Sequence, residues 1–375
     1  MLVMPGAMLG LLGGGQLGRM FTMAAHRLGY QVTVLDPSTE SPAGRIADVF
    51  ICAEYTDDHA LQQLGDQCIA VTTEFENIPA ESLRKLAETC VVSPDAHSIA
   101  IAQNRIAEKC FLKDHGFSIA PFAVIEGAED LSKPHTTNLF PGILKVSQFG
   151  YDGKGQRQVR NQSELGTAFG DLSKVTCVLE QLMPLRSEIS VIVARGADGA
   201  LESFPVAENQ HVNGILDISI IPARISQTLM QQAQDIASKV AVKLNYQGVL
   251  CVEFFVLDDG QLLINEIAPR PHNSGHYSMD ACVTSQFEQQ VRTLCGLPLG
   301  NTTQHSAAVM VNLLGDLWHN GEPDWPFVLQ QASTKLHLYG KTEARPGRKM
   351  GHFTVLDETT DKALSKAHTI KQQLE

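Results

Sequence analysis

The sequence predicts a mixed α/β and α+β chain. An open α/β unit with a largely parallel sheet comes first, a region of antiparallel strands and helices follows, and a small β-rich module ends it. Three observations carry this. Residues 7–12, 13–28 and 31–35 read as strand, helix and strand, with Gly13-x-Gly15-x-x-Gly18 opening the helix. Gly142-Ile-Leu-Lys145-Val reads as a strand that runs into the glycine-rich stretch Gly150-Tyr151-Asp152-Gly153-Lys154-Gly155-Gln156. Residues 249–257 and 261–267 read as the arms of a hairpin, each bearing a glutamate, Glu253 and Glu266.

In chain order, Gly29 ends the first helix, and Asp36 follows the second strand, 18 residues beyond Gly18. Stretches 48–53, 68–72 and 90–93 read as further short strands with helices between them, so residues 1–100 form one domain. Residues 98–116 read as one helix with Arg105, Lys109 and Lys113 at four-residue spacing. Strand-like runs follow at 121–125, 142–147, 156–160, 176–180 and 188–195, with a helix over 161–172. Helices over 226–244 and 280–295 flank the hairpin, and short strands recur near 306–314, 334–339 and 351–356. The second domain therefore spans 101–295, with a lid subdomain near 121–185, and the third spans 296–375. Residues 357–375 read either as a final helix or as a frayed tail.

Asp259-Gly260 is a two-residue turn signal. With Asp258 opposite Gln261, counting back sets Glu253 opposite Glu266. Like charges directly opposed destabilise a bare sheet, so the pair calls for a proton or a cation. Magnesium, which takes few carboxylates plus substrate phosphates, suits it. Glycines at 150, 153 and 155 let a backbone fold closely over phosphates just beyond Lys145. Together they describe a site for a magnesium nucleotide.

Hydrophobic residues at 43% and charged residues at 19% of 375 are globular values. A net charge of −12 argues against a nucleic-acid-binding face. Eight scattered cysteines with no C-x-x-C pair give neither a zinc site nor a dithiol motif and fit a reducing cytoplasm. The apolar N-terminus lacks a basic n-region, and no apolar run reaches membrane-spanning length.

Six ordered motifs spanning nearly the whole chain resemble the ATP-grasp superfamily, and within it the N5-carboxyaminoimidazole ribonucleotide synthetase family. They are Gly13-Gly-Gly-Gln-Leu-Gly-Arg-Met20, Thr73-Glu-Phe-Glu-Asn-Ile78, Gln103-Asn-Arg105, the 150–156 stretch, Asn265-Glu-Ile-Ala-Pro-Arg-Pro-His-Asn-Ser-Gly-His276 and Arg345-Pro-Gly-Arg-Lys-Met-Gly-His352. The superfamily usually has an asparagine two residues after the second metal glutamate; here it is Ala268, as in the narrower family.

The resemblance implies an ATP-grasp fold behind a Rossmann-like N-terminal domain, and a two-step ligase reaction. ATP phosphorylates bicarbonate to carboxyphosphate, and the amine of 5-aminoimidazole ribonucleotide is then carboxylated. Arg105, Lys145, Gly150 to Gln156, the hinge Glu180-Gln181-Leu182-Met183, Glu188, His211, Asn265 and Glu266 would hold ATP. Glu253 and Glu266 would bind magnesium or manganese. Arg270, His272, Asn273 and Asp152 would serve the chemistry, with His276 either catalytic or structural. Gln16, Glu76, Tyr151, Asp152, Lys341, Arg345 and Arg348 would bind the ribonucleotide. Read alone, Glu180 and Glu188 are equally well solvated surface acids. The resemblance also implies a cytoplasmic homodimer with small-molecule substrates and no nucleic-acid or membrane partner. Three other readings share parts of this pattern: an NAD-dependent oxidoreductase, suggested by Gly13–Gly18 and Asp36; a sibling ATP-grasp enzyme acting on formate or biotin; and a non-catalytic nucleotide sensor.

Overall fold

The computed structural model describes residues 1–148, 150 and 155–375. Tyr151, Asp152, Gly153 and Lys154, expected at the site, lie outside the described residues. Among the described residues the strands form three sheets.

The first domain contains β1 (Met8–Leu12), α1 (Gln16–Arg27), β2 (Gln31–Leu35), β3 (Val49–Ile51), α2 (Asp58–Gln67), β4 (Ala70–Thr73), α3 (Ala80–Leu86) and β5 (Val91–Val92). Its five strands are all parallel, in the order β3-β2-β1-β4-β5. Leu9, Leu11, Leu12, Val32, Val34 and Leu35 are fully buried, the near-continuous apolar run that a sheet covered on both faces needs.

The single helix expected over 98–116 is two: α4 (Ala96–Ala102) and α5 (Arg105–Asp114). Asn104 breaks the run because its side chain accepts hydrogen bonds from the backbone of Ile106 and Ala107, capping a new helix. Arg105 thereby becomes the first helical residue.

The lid sheet contains β6 (Phe122–Ile125), α6 (Pro134–Thr137), β7 (Gly142–Val146), β8 (Gln156–Val159), α7 (Gln162–Asp171) and β9 (Cys177–Gln181), in strand order β6-β9-β7-β8. The chain continues through β10 (Leu185–Arg195), β11 (Leu201–Ser203), β12 (Ala207–Val212), β13 (Ile215–Ile221), α8 (Gln227–Lys243), β14 (Gly248–Leu257) and β15 (Leu262–Ala268). Helix α8 is capped by Ser226 and buries Ala233, Ala237, Val240 and Ala241 at three- to four-residue spacing. That stripe packs on Ile189, Val191, Leu250, Val252 and Phe254 of the large sheet.

The helix expected over 280–295 is also divided, into α9 (Ser278–Ala281) and α10 (Gln286–Leu294), with Ser285 capping the second. Residues Val291, Leu294 and Cys295 pack into the first domain's core beside Leu9, Phe21 and Val32.

The C-terminal strands do not form a separate sheet. Strand β16 (Ala307–Leu314) pairs with β13, α11 (Trp325–Leu329) follows, and β17 (Thr334–Leu338) and β18 (Lys349–Asp357) complete one sheet ordered β15-β14-β10-β12-β13-β16-β18-β17. The β-rich stretch after residue 296 shares its core with the preceding strands: the alternating apolar face of β16 (Val309, Val311, Leu313) is buried jointly with Ile218 and Ile220 of β13. The tail is a helix, α12 (Thr360–Leu374), capped by Thr359 and buried through Ala363, Ala367 and Ile370 on that face.

The hairpin register also differs. Leu257 N–H donates to the Gln261 carbonyl (3.0 Å), so the loop is Asp258-Asp259-Gly260, one residue longer than expected, with Gly260 at φ +84°. Val256 consequently faces Leu262, one step from the expected pairing. An irregularity between Glu253 and Phe254 absorbs Asn265 as an extra residue, and Glu253 still opposes Glu266.

Candidate active site between the lid and the large sheet

Lys145 on β7 and Glu180 on β9 come from adjacent strands, and Lys109 projects from α5 behind them. Both lysine Nζ atoms lie 3.2 Å from the same carboxylate oxygen, Glu180 Oε2. Glu180 is 3% exposed, which removes the surface-acid reading. Burial opposes its charge, but Lys145, Lys109 and Arg105 outweigh it and hold the carboxyl below its usual range. Burial, partly offset by Glu180, lowers the Lys145 ammonium below its usual range.

The hinge is more constrained than expected. The Gln181 and Leu182 N–H groups donate to the Pro121 and Pro141 carbonyls at 2.9 and 2.8 Å. Neither is open to a base, which leaves carbonyl oxygens and Met183. Glu188 on β10 meets His211 Nδ1 on β12 at 3.1 Å. Burial disfavours a charged His211, yet Glu188 overrides that and raises its pKa.

On the other side, Arg105 Nη1 donates to Glu266 Oε2 at 3.0 Å, and His272 Nε2 meets Glu253 Oε1 at 3.0 Å. Burial works against the Glu253 charge, but His272 and more distant cations hold its carboxyl well below the usual range. Ser274 N–H donates to His272 Nδ1 at 3.3 Å, which holds the ring with Nε2 toward Glu253. The Asn265 Oδ1 oxygen is buried without a hydrogen-bond partner among the described residues. Two carboxylates and an orphaned amide oxygen are hard donors and fit magnesium. The Cys251 thiol lies near Glu253 and His272, but complete burial pushes its pKa well up, so it stays a thiol beside a hard-cation site.

Behind Glu266, Glu108 Oε1 accepts the Ile267 N–H at 2.5 Å and pins β15. Burial first, then Glu266, push this carboxyl up to about 8.

Arg270 forms a two-pronged pair with Glu76, through Nε to Oε2 and through Nη2 to Oε1 at 3.2 Å. Glu76, expected on the ribonucleotide, is thus a partner of Arg270. Asn273 and Asn312 exchange amide hydrogen bonds at 3.0 and 2.7 Å. His276 is fully buried and packs on His352, Phe287 and Tyr339, a structural position.

The Gly13 to Gly18 loop before α1, which the resemblance sets against part of the ribonucleotide with Gln16 and Glu76 as polar contacts, is held by its own domain. Its amides are already engaged: Gly14 N–H donates to Asp36 Oδ2 (2.7 Å), Gly15 N–H to Glu74, and Leu17 N–H to Glu74 Oε1 (3.1 Å). Asp36, the acid of the dinucleotide fingerprint, also accepts Tyr55 O–H at 2.7 Å. An oxidoreductase would need that carboxylate for a ribose. Gln16 begins α1 and is half-buried. Arg45 Nη1 donates to the Gly340 carbonyl at 2.9 Å, tying this domain to the Lys341 segment. Lys341 Nζ donates to the Lys349 carbonyl at 2.7 Å and sits 5.6 Å over the Tyr339 ring. Arg348 donates to the Glu343 carbonyl at 2.9 Å, while Arg345 is exposed and pairs with Glu343 at 3.1 Å.

Glu74, Glu108 and Lys109 were missed as site residues. The four-residue spacing of Arg105 and Lys109 placed them on one helix face, but nothing in the sequence said that this face is buried.

A small antiparallel sheet bearing a buried lysine, together with a large sheet bearing opposed carboxylates, defines an ATP-grasp enzyme. Residues 7–103 match the ribonucleotide synthetase preATP-grasp domain, 110–287 the ATP-grasp domain and 308–366 the phosphoribosylaminoimidazole carboxylase C-terminal domain. The chain belongs to the N5-carboxyaminoimidazole ribonucleotide synthase family. It is 43% identical to the Bacillus subtilis (strain 168) member over 360 residues, covering 96% of this chain and 94% of that one. It is 44% identical to the Brucella melitensis member over 358 residues, covering 95% and 98%. Among solved structures, the Staphylococcus aureus synthetase with ADP superposes with a TM-score of 0.92 at 39% identity, covering 100% and 98% of the chains. The Aspergillus clavatus enzyme with ADP and 5-aminoimidazole ribonucleotide gives 0.91 at 30%, covering 98% of each.

Proposed function

We infer that this ligase uses ATP to carboxylate 5-aminoimidazole ribonucleotide to N5-carboxyaminoimidazole ribonucleotide in purine biosynthesis. The observation that carries the reading is the pairing of Glu253 with Glu266 opposite a lid bearing Lys145, in a chain matched over its length by enzymes of that name. A bicarbonate oxygen attacks the γ-phosphorus and ADP leaves. The substrate amine then bonds to the carboxyl carbon, phosphate leaves, and the nitrogen loses a proton.

Phosphoryl transfer of this kind is mostly positioning and charge stabilisation. Lys145 and Arg105 supply cations for the ATP phosphates, and Glu188 and His211 border the ribose. Glu253, Glu266 and Asn265 would hold magnesium, which supplies charge neutralisation on the phosphates when bound. Arg270, fixed by Glu76, presents a guanidinium beside the metal strand, and His272 orders Glu253. Lys341 and Arg348 would take the 5′-phosphate, Arg through its planar fork. Eight free thiols suit a reducing cytoplasm, and among the described residues no helix is long and apolar enough to cross a membrane.

The test is ADP release with MgATP while bicarbonate and the ribonucleotide are each supplied or omitted. Release that requires the ribonucleotide and is supported by bicarbonate is expected. Release driven instead by formate or biotin would move the chain to a sibling activity.

A further inference from the structure

We propose that Lys109 is a positioning residue for the nucleotide: it keeps the Glu180 carboxylate neutralised and in place when Lys145 leaves it for the phosphates. The inference rests on the reading of this site as an ATP site.

Two cations share one anion here. Lys109 and Lys145 approach the same oxygen at the same 3.2 Å. The two lysines differ in everything else. The Lys109 side chain is 1% exposed, and its Nζ has no hydrogen-bond partner among the described residues, so the Glu180 ion pair is what holds it. It comes from the second turn of α5, which is anchored just before it by the Asn104 cap and by the Glu108 bond to Ile267. The Lys145 side chain is 11% exposed and stands near the end of β7, where the strand leads into the glycine-rich stretch.

Arg105 beside them is paired with Glu266, and Glu108 is engaged by the Ile267 N–H, so the two lysines have one carboxylate to share between them. Such an arrangement is costly unless a further anion arrives. The phosphates are that anion, and the more accessible lysine is the one that can follow them. Once Lys145 is drawn off, the interior retains Lys109 against Glu180, one charge against one. Without Lys109, Lys145 would be the principal counter-charge of a carboxylate that is 3% exposed, and pulling it onto a phosphate would strand that carboxylate. The Glu180 Oε1 oxygen has no hydrogen-bond partner among the described residues, so none of them holds a donor in reserve for it.

The test is calorimetric titration of MgADP into the unaltered chain, Lys109→Met, Glu180→Gln and the double variant, with thermal melting of each as a check on folding. Lys109→Met is expected to weaken MgADP binding by about tenfold or more, because Lys145 is then locked to Glu180. Adding Glu180→Gln removes the stranded charge, so the double variant is expected to bind within about threefold of Glu180→Gln alone. A packing role would not give that rescue. If Lys109→Met fails to fold, the comparison of the double variant with Glu180→Gln still decides, and a tenfold gap there overturns the proposal. MgADP binding by Lys109→Met equal to the unaltered chain overturns the proposal alone. Absence of MgADP binding to the unaltered chain overturns the nucleotide site and the proposal with it.

Discussion

Glu253 and Glu266 stand directly opposite each other on β14 and β15, although the pairing nearer the loop is one residue out of step with them. The three-residue loop and the extra residue at Asn265 cancel. A one-residue slip moves every side chain to the other face of a strand, so the bulge is what keeps the two acids opposed. If Glu266 is a ligand of the proposed magnesium, Glu266→Gln is expected to lower ATP turnover on the order of 100-fold or more, since it removes one of the two carboxylate charges. The Arg105 hydrogen bond can be made by glutamine, so thermal melting should stay close to that of the unaltered chain. Near-normal ADP release would contradict the assignment.

The loop of this hairpin gives an independent check. Gly260 sits at φ +84° with open space where a Cβ would go. Gly260→Ala is expected to destabilise the fold by about 1 kcal/mol through left-handed backbone strain alone. Chemical denaturation should show that loss with kcat and both KM values unchanged. A lost activity would mean the loop takes part in the site.

Lys341 lies far along the chain from the nucleotide residues, in the segment tied to the first domain by Arg45. Lys341→Ala is expected to raise KM for the ribonucleotide about tenfold, the loss of one charged phosphate contact, with KM for ATP within about twofold. Steady-state kinetics with each substrate varied separates these. Equal losses for both substrates would remove the C-terminal segment as the phosphate pocket.

Folding also buries a histidine cluster. Burial first, then neighbouring histidines, push the His276 and His352 pKa values well below the usual 6.5. Both are neutral in the folded chain, while the unfolded chain takes up protons below about pH 6.5. Their contribution to stability is whole above that pH and is lost as pH falls below it, at up to about 1.4 kcal/mol per pH unit for each histidine. Denaturation between pH 7 and 5 should show a shallower slope in His352→Gln than in the unaltered chain. Identical slopes would contradict a neutral buried imidazole.

Much of this was legible in the sequence, because periodicity and turn chemistry are local. The parallel first domain, the lid strands and helix α8 stand within a few residues of their expected limits. Asn104 was misread because a capping asparagine inside an otherwise helical run looks like one more polar helix residue. The β13–β16 pairing was invisible because it joins residues about ninety positions apart, and no local pattern encodes that contact. At the site, Lys109 and Glu108 lie outside the motifs, and Glu74 lies inside one without a role legible there. Their importance comes from burial, which only the packed chain reveals. The engagement of the loop amides by Asp36 and Glu74 was hidden for the same reason.

The most direct test of the central claim is transfer of oxygen from bicarbonate to phosphate. With MgATP, the ribonucleotide and bicarbonate labelled with 18O, mass spectrometry of the released phosphate is expected to show one labelled oxygen, delivered when bicarbonate attacks the γ-phosphorus. Turnover that releases wholly unlabelled phosphate would mean that bicarbonate is never phosphorylated and would contradict the account.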